Sequence, residues 1–315
     1  MTEIAYRRAG ALRGTDDQGR RPLDLTPPQK LMIFVLSMSM FGLSNILLEI
    51  IPDLTIGPFD LSVSYFVFVP LTLAALLSPF WVALGAPLGE IIFTDLLMGD
   101  FSGLAEVEGF LQMFLAIFIA GSVIRNPRNR AQIAVGAVLV VFIDKLLSAA
   151  VDLTKVWVGV EDAEYVEGLP ESMLVLEGVG FGIDIIISGV LFGVLPALWL
   201  VPALHGRIEP LLGMRPRVPG EPIPGQAAAS GWFVGAALML SLASFFFAFL
   251  EAWDVSIGAF EPEYLEQYGT WFLWISVAAI VVLLGASILL FRRAQARPVA
   301  PAEPDRAAAE EEHVG

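Results

Sequence analysis

The sequence predicts an all-α, polytopic membrane protein, and three observations predict it. Of the 315 residues, 56% are hydrophobic and only 16% charged, with a mean hydropathy of +0.72. A soluble domain of that composition would expose too much apolar surface. Several apolar runs approach the ~20 residues that a spanning helix needs. Those runs are continuous, whereas the strands of a membrane barrel would alternate over ~10 residues.

Taken in order, Met1 to Pro28 is a polar tail with Arg7, Arg8, Arg13, Arg20 and Arg21. No small-residue cleavage site ends it, so no cleavable signal peptide is expected. Thr26-Pro27-Pro28 leads into segment one, 29–51. Pro52 to Leu61 reads as a Pro/Gly/Asp loop. Segment two, 62–77, has an apolar run too short for an ordinary span. Segment three, 79–97, is punctuated by Gly85, Pro87 and Gly89, which lets neighbouring backbone approach closely. Segment four covers 109–124 and stops at Arg125-Asn-Pro-Arg-Asn-Arg130. Segment five covers 132–153. A loop of some twenty residues with Trp157 and several acids follows. Segment six runs 173–204, with Pro196 and Pro202 expected to bend its last part. Residues 215–230 read as a Pro-rich cytoplasmic linker. Segments seven (231–253) and eight (269–291) form a two-helix membrane extension, 231–293. An acidic Ala/Pro/Glu tail, 294–315, is expected to be disordered.

Orientation follows from the basic residues. Sixteen of the eighteen Lys and Arg fall before segment one or at its start (Lys30), between four and five, after six, or after eight. With eight spans these stretches share one side, so both termini are expected in the cytoplasm of a multi-pass cell-membrane protein. Only Lys145 and Lys155 remain.

That orientation gives a depth to each intramembrane charge. Glu49, Glu90, Asp95, Asp144, Lys145, Asp152, Glu177, Asp184 and Glu251 all fall in the outer half. Charges in lipid are costly and normally face a cavity or a partner. Asp144, Ser148 and Asp152 share one face of segment five, and Asn45 and Glu49 one face of segment one. Glu177 and Asp184 lie two turns apart on segment six. The expected substrate-binding set is Asn45, Glu49, Glu90, Asp95, Asp144, Lys145 and Asp184, open to the outside. Lys145 is expected to pair with Asp184 or Glu90. The acids outnumber the one lysine, which favours a small cationic or amine-bearing ligand over a dicarboxylate. The opposing reading is that Lys145 and an acid lock the bundle while the remaining acids sit at wet helix ends.

Other chemistry is thin. There is no cysteine, and the histidines are His205 and His313. No metal site, cofactor or catalytic residue is expected, and the chain is not read as an enzyme. Gly178, Gly180 and Gly182 sit inside an apolar segment and read as packing, not phosphate binding. The formal net charge of −15 excludes nucleic acid as a partner. Three lysines against that acidity are what a halophile would use to stay hydrated.

The stretch Pro52–Gly103 organises the chain. It reads GP, a short apolar helix, SPFW, a Gly-rich helix, then D-LL-G. It resembles the heart of the substrate-binding (S) component of energy-coupling factor (ECF) vitamin transporters, over about residues 31–214, with a haloarchaeal source. The resemblance implies a six-helix bundle, here with two additional C-terminal helices, that captures a vitamin-like compound. It implies the 52–61 loop, with Thr55 and Asp60, as the gate. It also implies a transmembrane coupling subunit and cytoplasmic ATPases as partners. The small residues expected for docking that subunit are reduced to Ser37, Gly42 and Ser44. An ion-coupled secondary carrier using Asp144, Asp184 and Glu90, and a non-transport membrane scaffold, are the alternatives.

Overall fold

The computed structural model describes residues 25–51, 63–159, 172–224 and 257–296, the backbone of two short strands between 54 and 61, and scattered residues from 236 to 253. Five of its helices are long and apolar enough to cross a membrane: Pro27–Leu48, Glu106–Val123, Arg130–Val158, Met173–Leu204 and Thr270–Ala296. Most of predicted segment seven, with Glu251, lies outside the described residues, as do residues 1–24 and 297–315 of the two tails.

Helix α1 (Pro27–Leu48) opens with a capping box, in which Gln29 reaches back to the backbone of Thr26. Its far end leads to an antiparallel hairpin, β1 (Leu54–Ile56) and β2 (Phe59–Leu61). The predicted loop is therefore partly strand. Leu-Thr-Ile and Phe-Asp-Leu flank Gly57-Pro58, so strand-forming residues stand on both sides of a turn pair.

Helix α2 (Phe68–Leu76) is shorter than predicted, because residues 63–66 before it form no regular element. Pro70 is accommodated in its first turn. Eight of its nine residues are buried. At ~1.5 Å per residue it spans only about 14 Å. A helix apolar on every side belongs in the interior, and α2 lies within the bundle, touching α1 and the elements 79–90, 106–123, 130–158 and 185–204.

Helix α3 (Pro79–Glu90) starts from Ser78 with proline in its first position. It continues into a wide π turn, Ile91–Leu96, after the weak helix formers Pro87 and Gly89. Its face against α1 is where the glycines act. A Cβ on Gly85 would collide with Ser37 and the Phe34 carbonyl, and one on Gly89 with the Met38 carbonyl. From the other side, a Cβ on Gly42 would lie 2.7 Å from the Gly89 oxygen. The two backbones touch, as the punctuation of segment three predicts. Ser37, Gly42 and Ser44 are therefore spent inside the bundle: Ser37 is 0% exposed, Ser44 4%.

Helix α4 (Glu106–Val123) is joined to α5 (Arg130–Val158) by a turn in which the Asn129 side chain accepts from the N–H groups of Ala131 and Gln132. Helix α5 runs five residues beyond its predicted end and stops at Gly159, in the left-handed conformation with φ 79°. Trp157, expected in a loop, lies on its last turn. Helices α6 (Ser172–Asp184) and α7 (Leu195–Leu204) are one rod interrupted by a π segment, Ile185–Val194. Pro196 has no N–H to give and its ring presses on the turn before, which a wider turn relieves.

The stretch after α7 is not a free linker up to residue 224. A short helix α8 (Ile208–Leu211) tucks Glu209 in at 0% exposure, and Arg217 is buried to 6%. Arg217 donates to the carbonyls of Ala74 (2.7 Å), Leu77 (3.0 Å) and Ile124 (3.1 Å).

The C-terminal part packs on the same bundle. Helix α9 (Tyr264–Tyr268) precedes α10 (Leu273–Ala296), which lies along α1. Met38, Ile46, Phe93, Met98, Leu273 and Ile280 form a second apolar core there, beside the main one around α2. Two ends result. At one, Arg125, Arg128, Arg130, Arg207, Arg215 and Arg217 gather with Lys30 and the end of α10. At the other stand the hairpin, Glu49, residues 95–106 and α9.

Candidate functional site

At the hairpin end, four elements converge on a cavity of about 380 Å3. The irregular segment before α2 supplies Ser64 and Tyr65. Helix α3 and its π turn supply Glu90 and Asp95. The connection to α4 and its first turns supply Asp100, Ser102, Glu106 and Gln112. Helix α5 supplies Asp144, Lys145 and Ser148. Five carboxylates thus face one ammonium. The volume is that of a small-molecule site.

Helical spacing explains the α5 contribution: Asp144 and Ser148 are one turn apart. Asp144 is 8% exposed and accepts from the Tyr65 hydroxyl at 2.9 Å; Tyr65 is 3% exposed. Lys145 Nζ lies 3.7 Å from Asp184 Oδ2 and 5.8 Å from the Tyr65 ring centre. Asp184 stands behind the cavity wall, where the Ser64 hydroxyl donates to its Oδ1. The Ser64 N–H in turn donates to Ser188 Oγ at 3.0 Å. Glu90 and Asp184 occupy equivalent places, each the last residue before a π turn. Such turns recur at functional sites because they aim neighbouring side chains off the regular spiral.

Beside it lies a second cavity of about 390 Å3, lined by Glu49, Thr94, Asp95, Met98, Asp100, Glu263, Leu265 and Glu266. Asp95 and Asp100 line both. Its outer wall is the segment before α10, held by reciprocal backbone bonds between Phe101 and Phe260 and by the Glu263 N–H on the Gly99 carbonyl at 2.9 Å.

Of the predicted set, Glu90, Asp95, Asp144 and Lys145 meet in the first cavity, with Asp184 behind Lys145. Glu49 belongs to the second cavity. Asn45 lines neither; it is 5% exposed, and its amide has no hydrogen-bond partner among the described residues. Asp152 pairs with Lys155 at 3.4 Å on α5. Thr55 and Asp60 are Cα partners across the hairpin, whose strand β2 lies against α6. Among the described residues, no group of three His, Cys, Asp or Glu is placed to hold a metal ion. Sequence reasoning missed Ser64, Tyr65, Asp100, Ser102, Glu106 and Gln112. Ser64-Tyr65 ahead of the short helix was the signal available, a hydroxyl pair at the mouth of an apolar run.

These features define a class: a polytopic helical protein with a polar, acid-rich cavity sunk between apolar helices. The chain belongs to a family of unknown function (DUF8171), which matches residues 32–300. No curated protein and no solved structure matches the chain.

Proposed function

We propose that the chain is the membrane-embedded capture subunit of an importer, binding a small vitamin-like cation in an outward-facing cavity. The observation that carries this is the 380 Å3 cavity with Glu90, Asp95, Asp100, Glu106 and Asp144 around Lys145. Carboxylates in excess, in a site of low dielectric, favour a positive ligand. The outward direction is supported by the basic residues, which collect at the opposite end, where the cytoplasm is expected. The short α2 and Gly-rich α3 are the features in which the chain resembles an ECF S component. Energy would then come from a coupling subunit and ATPases. Because Ser37, Gly42 and Ser44 are buried within the bundle, that subunit would dock on another surface.

A second reading, an ion-coupled carrier, is favoured by one observation: Glu90 and Asp184 are each the last residue before a π turn. Purification of the full chain from native membranes, with mass spectrometry of its partners and bound small molecules, tests both. The first reading expects an ATPase and a cationic compound, lost in Glu90→Gln and Asp144→Asn. Uptake without an ATPase, abolished by an ionophore, would establish the carrier instead. A bound dicarboxylate would overturn the cation assignment.

A further inference from the structure

The cavity read above as a cation site already holds a cation of its own. Lys145 lines it from α5. It shares that lining with Glu90 on α3 and with the adjacent Asp144. An incoming cation must use those same carboxylates. Lysine and ligand are therefore competitors, and the site is useful only if the lysine has somewhere else to stand.

Asp184 is that place. It lies outside the cavity lining, and its Oδ2 is 3.7 Å from Lys145 Nζ. The carboxylate itself is held, because Ser64 donates to Oδ1 from the segment before α2. Its position is set by the junction between α6 and the π turn that follows. A lysine has a flexible four-carbon stem and a point charge, so it can move between stations while Asp184 cannot. The separation of 3.7 Å is longer than a charge-assisted hydrogen bond of ~2.7–2.9 Å, so the ammonium is drawn to Asp184 without being clamped.

We infer that Asp184 parks Lys145 away from Glu90 and Asp144 and so sets the cavity's affinity for cations, without touching the ligand. This rests on the cation reading of the cavity. It gives Asp184 and Lys145 opposite effects on binding, which a merely structural ion pair would not do. Removing either partner of a structural pair harms the protein in the same direction.

The test is calorimetric titration of the full chain in lipid nanodiscs with thiamine and choline as cationic probes and pantothenate as an anionic one. Lys145→Gln is expected to tighten cation binding about tenfold, the scale of one partly screened charge pair. Asp184→Asn is expected to weaken it by a similar factor, because it releases Lys145 onto the cavity acids. Asp184→Glu should restore binding. The double variant should bind as tightly as Lys145→Gln, since a missing lysine needs no parking. A double variant weakened as much as Asp184→Asn, or a Lys145→Gln protein that binds cations no better than the wild type, overturns the inference. Should Asp184→Asn not fold, Lys145→Gln decides alone. Loss of pantothenate binding in Lys145→Gln would make the lysine an anion-binding group and overturn it too. If the wild type binds neither cation, the cation reading itself falls and takes this inference with it. Cation binding in the wild type without the opposed effects removes the inference alone.

Discussion

Arg217 donates a hydrogen bond to the carbonyl of Ala74, 143 residues earlier, at 2.7 Å. Ala74 lies in the last turn of α2, whose carbonyls have no partners within so short a helix. A guanidinium there satisfies several at once and opposes the negative end of the helix dipole. Arg217→Ala is expected to cost on the order of 3 kcal/mol, as buried carbonyls of α2 and α4 lose their donor. Arg217→Lys should recover only part, because an ammonium lacks the planar fork. Thermal unfolding in detergent measures both; an unchanged midpoint for Arg217→Ala would show that water replaces the side chain.

The contact of Gly89 with the Met38 carbonyl sets a steric prediction. Gly89→Ala adds one methyl where backbone already stands, and overpacking of this kind costs ~1–3 kcal/mol or more. The variant should unfold at lower temperature. Gly180→Ala is the control, since a Cβ there meets nothing within 4 Å. Equal midpoints for the two variants would contradict the close approach of α1 and α3.

The hairpin register places Thr55 opposite Asp60. Directly opposed residues in an antiparallel pair have Cα atoms ~4.5–5.5 Å apart, within disulfide reach. The chain contains no cysteine of its own. A Thr55→Cys, Asp60→Cys double variant should therefore close one disulfide under mild oxidation without competition. Bridging should leave ligand affinity unaltered if the hairpin moves as a unit and slow exchange if its strands must part. Failure to oxidise would mean a different register.

The segregation of basic residues makes a prediction of side. A cysteine at Asn129, beside Arg128 and Arg130, should be protected from an impermeant maleimide in intact cells. One at Ser102, at the hairpin end, should react. Reaction at Asn129 alone would invert the orientation and turn the cavity toward the cytoplasm.

Much of the helical framework was legible in the sequence, because apolar runs bounded by arginines, prolines and glycines report it directly. The cluster of Glu90, Asp95, Asp144 and Lys145 was legible for a related reason: charges inside apolar runs have few places to go. Other parts were hidden by their own composition. Arg217 sits in a Pro-rich polar stretch, and nothing local marks it as the cap of a helix made of residues 68–76. The hairpin is only three residues per strand, and the Gly57-Pro58 pair between them dominates the local sequence signal. Asp100 and Glu106 look like loop acids until the fold of 95–106 brings them over the cavity. Segment eight was read as an addition, yet it shares a core with α1 through Leu273 and Ile280. Pairings between distant segments leave no periodic trace in either.

The position of α10 also has a consequence for how the protein is made. Of the described helices, α1 is the first to leave the ribosome and α10 the last. Between them some two hundred residues must be synthesised, during which the core of Met38, Ile46, Phe93 and Met98 lacks the cover that Leu273 and Ile280 give it. Membrane helices insert singly and associate afterwards, and domains assemble in the order their parts arrive. Among the described helices, assembly therefore includes a late closing step rather than only growing outward from α1. Nascent chains stalled before residue 264 should keep α1 open to crosslinking by insertion factors, and chains extended past residue 296 should release it.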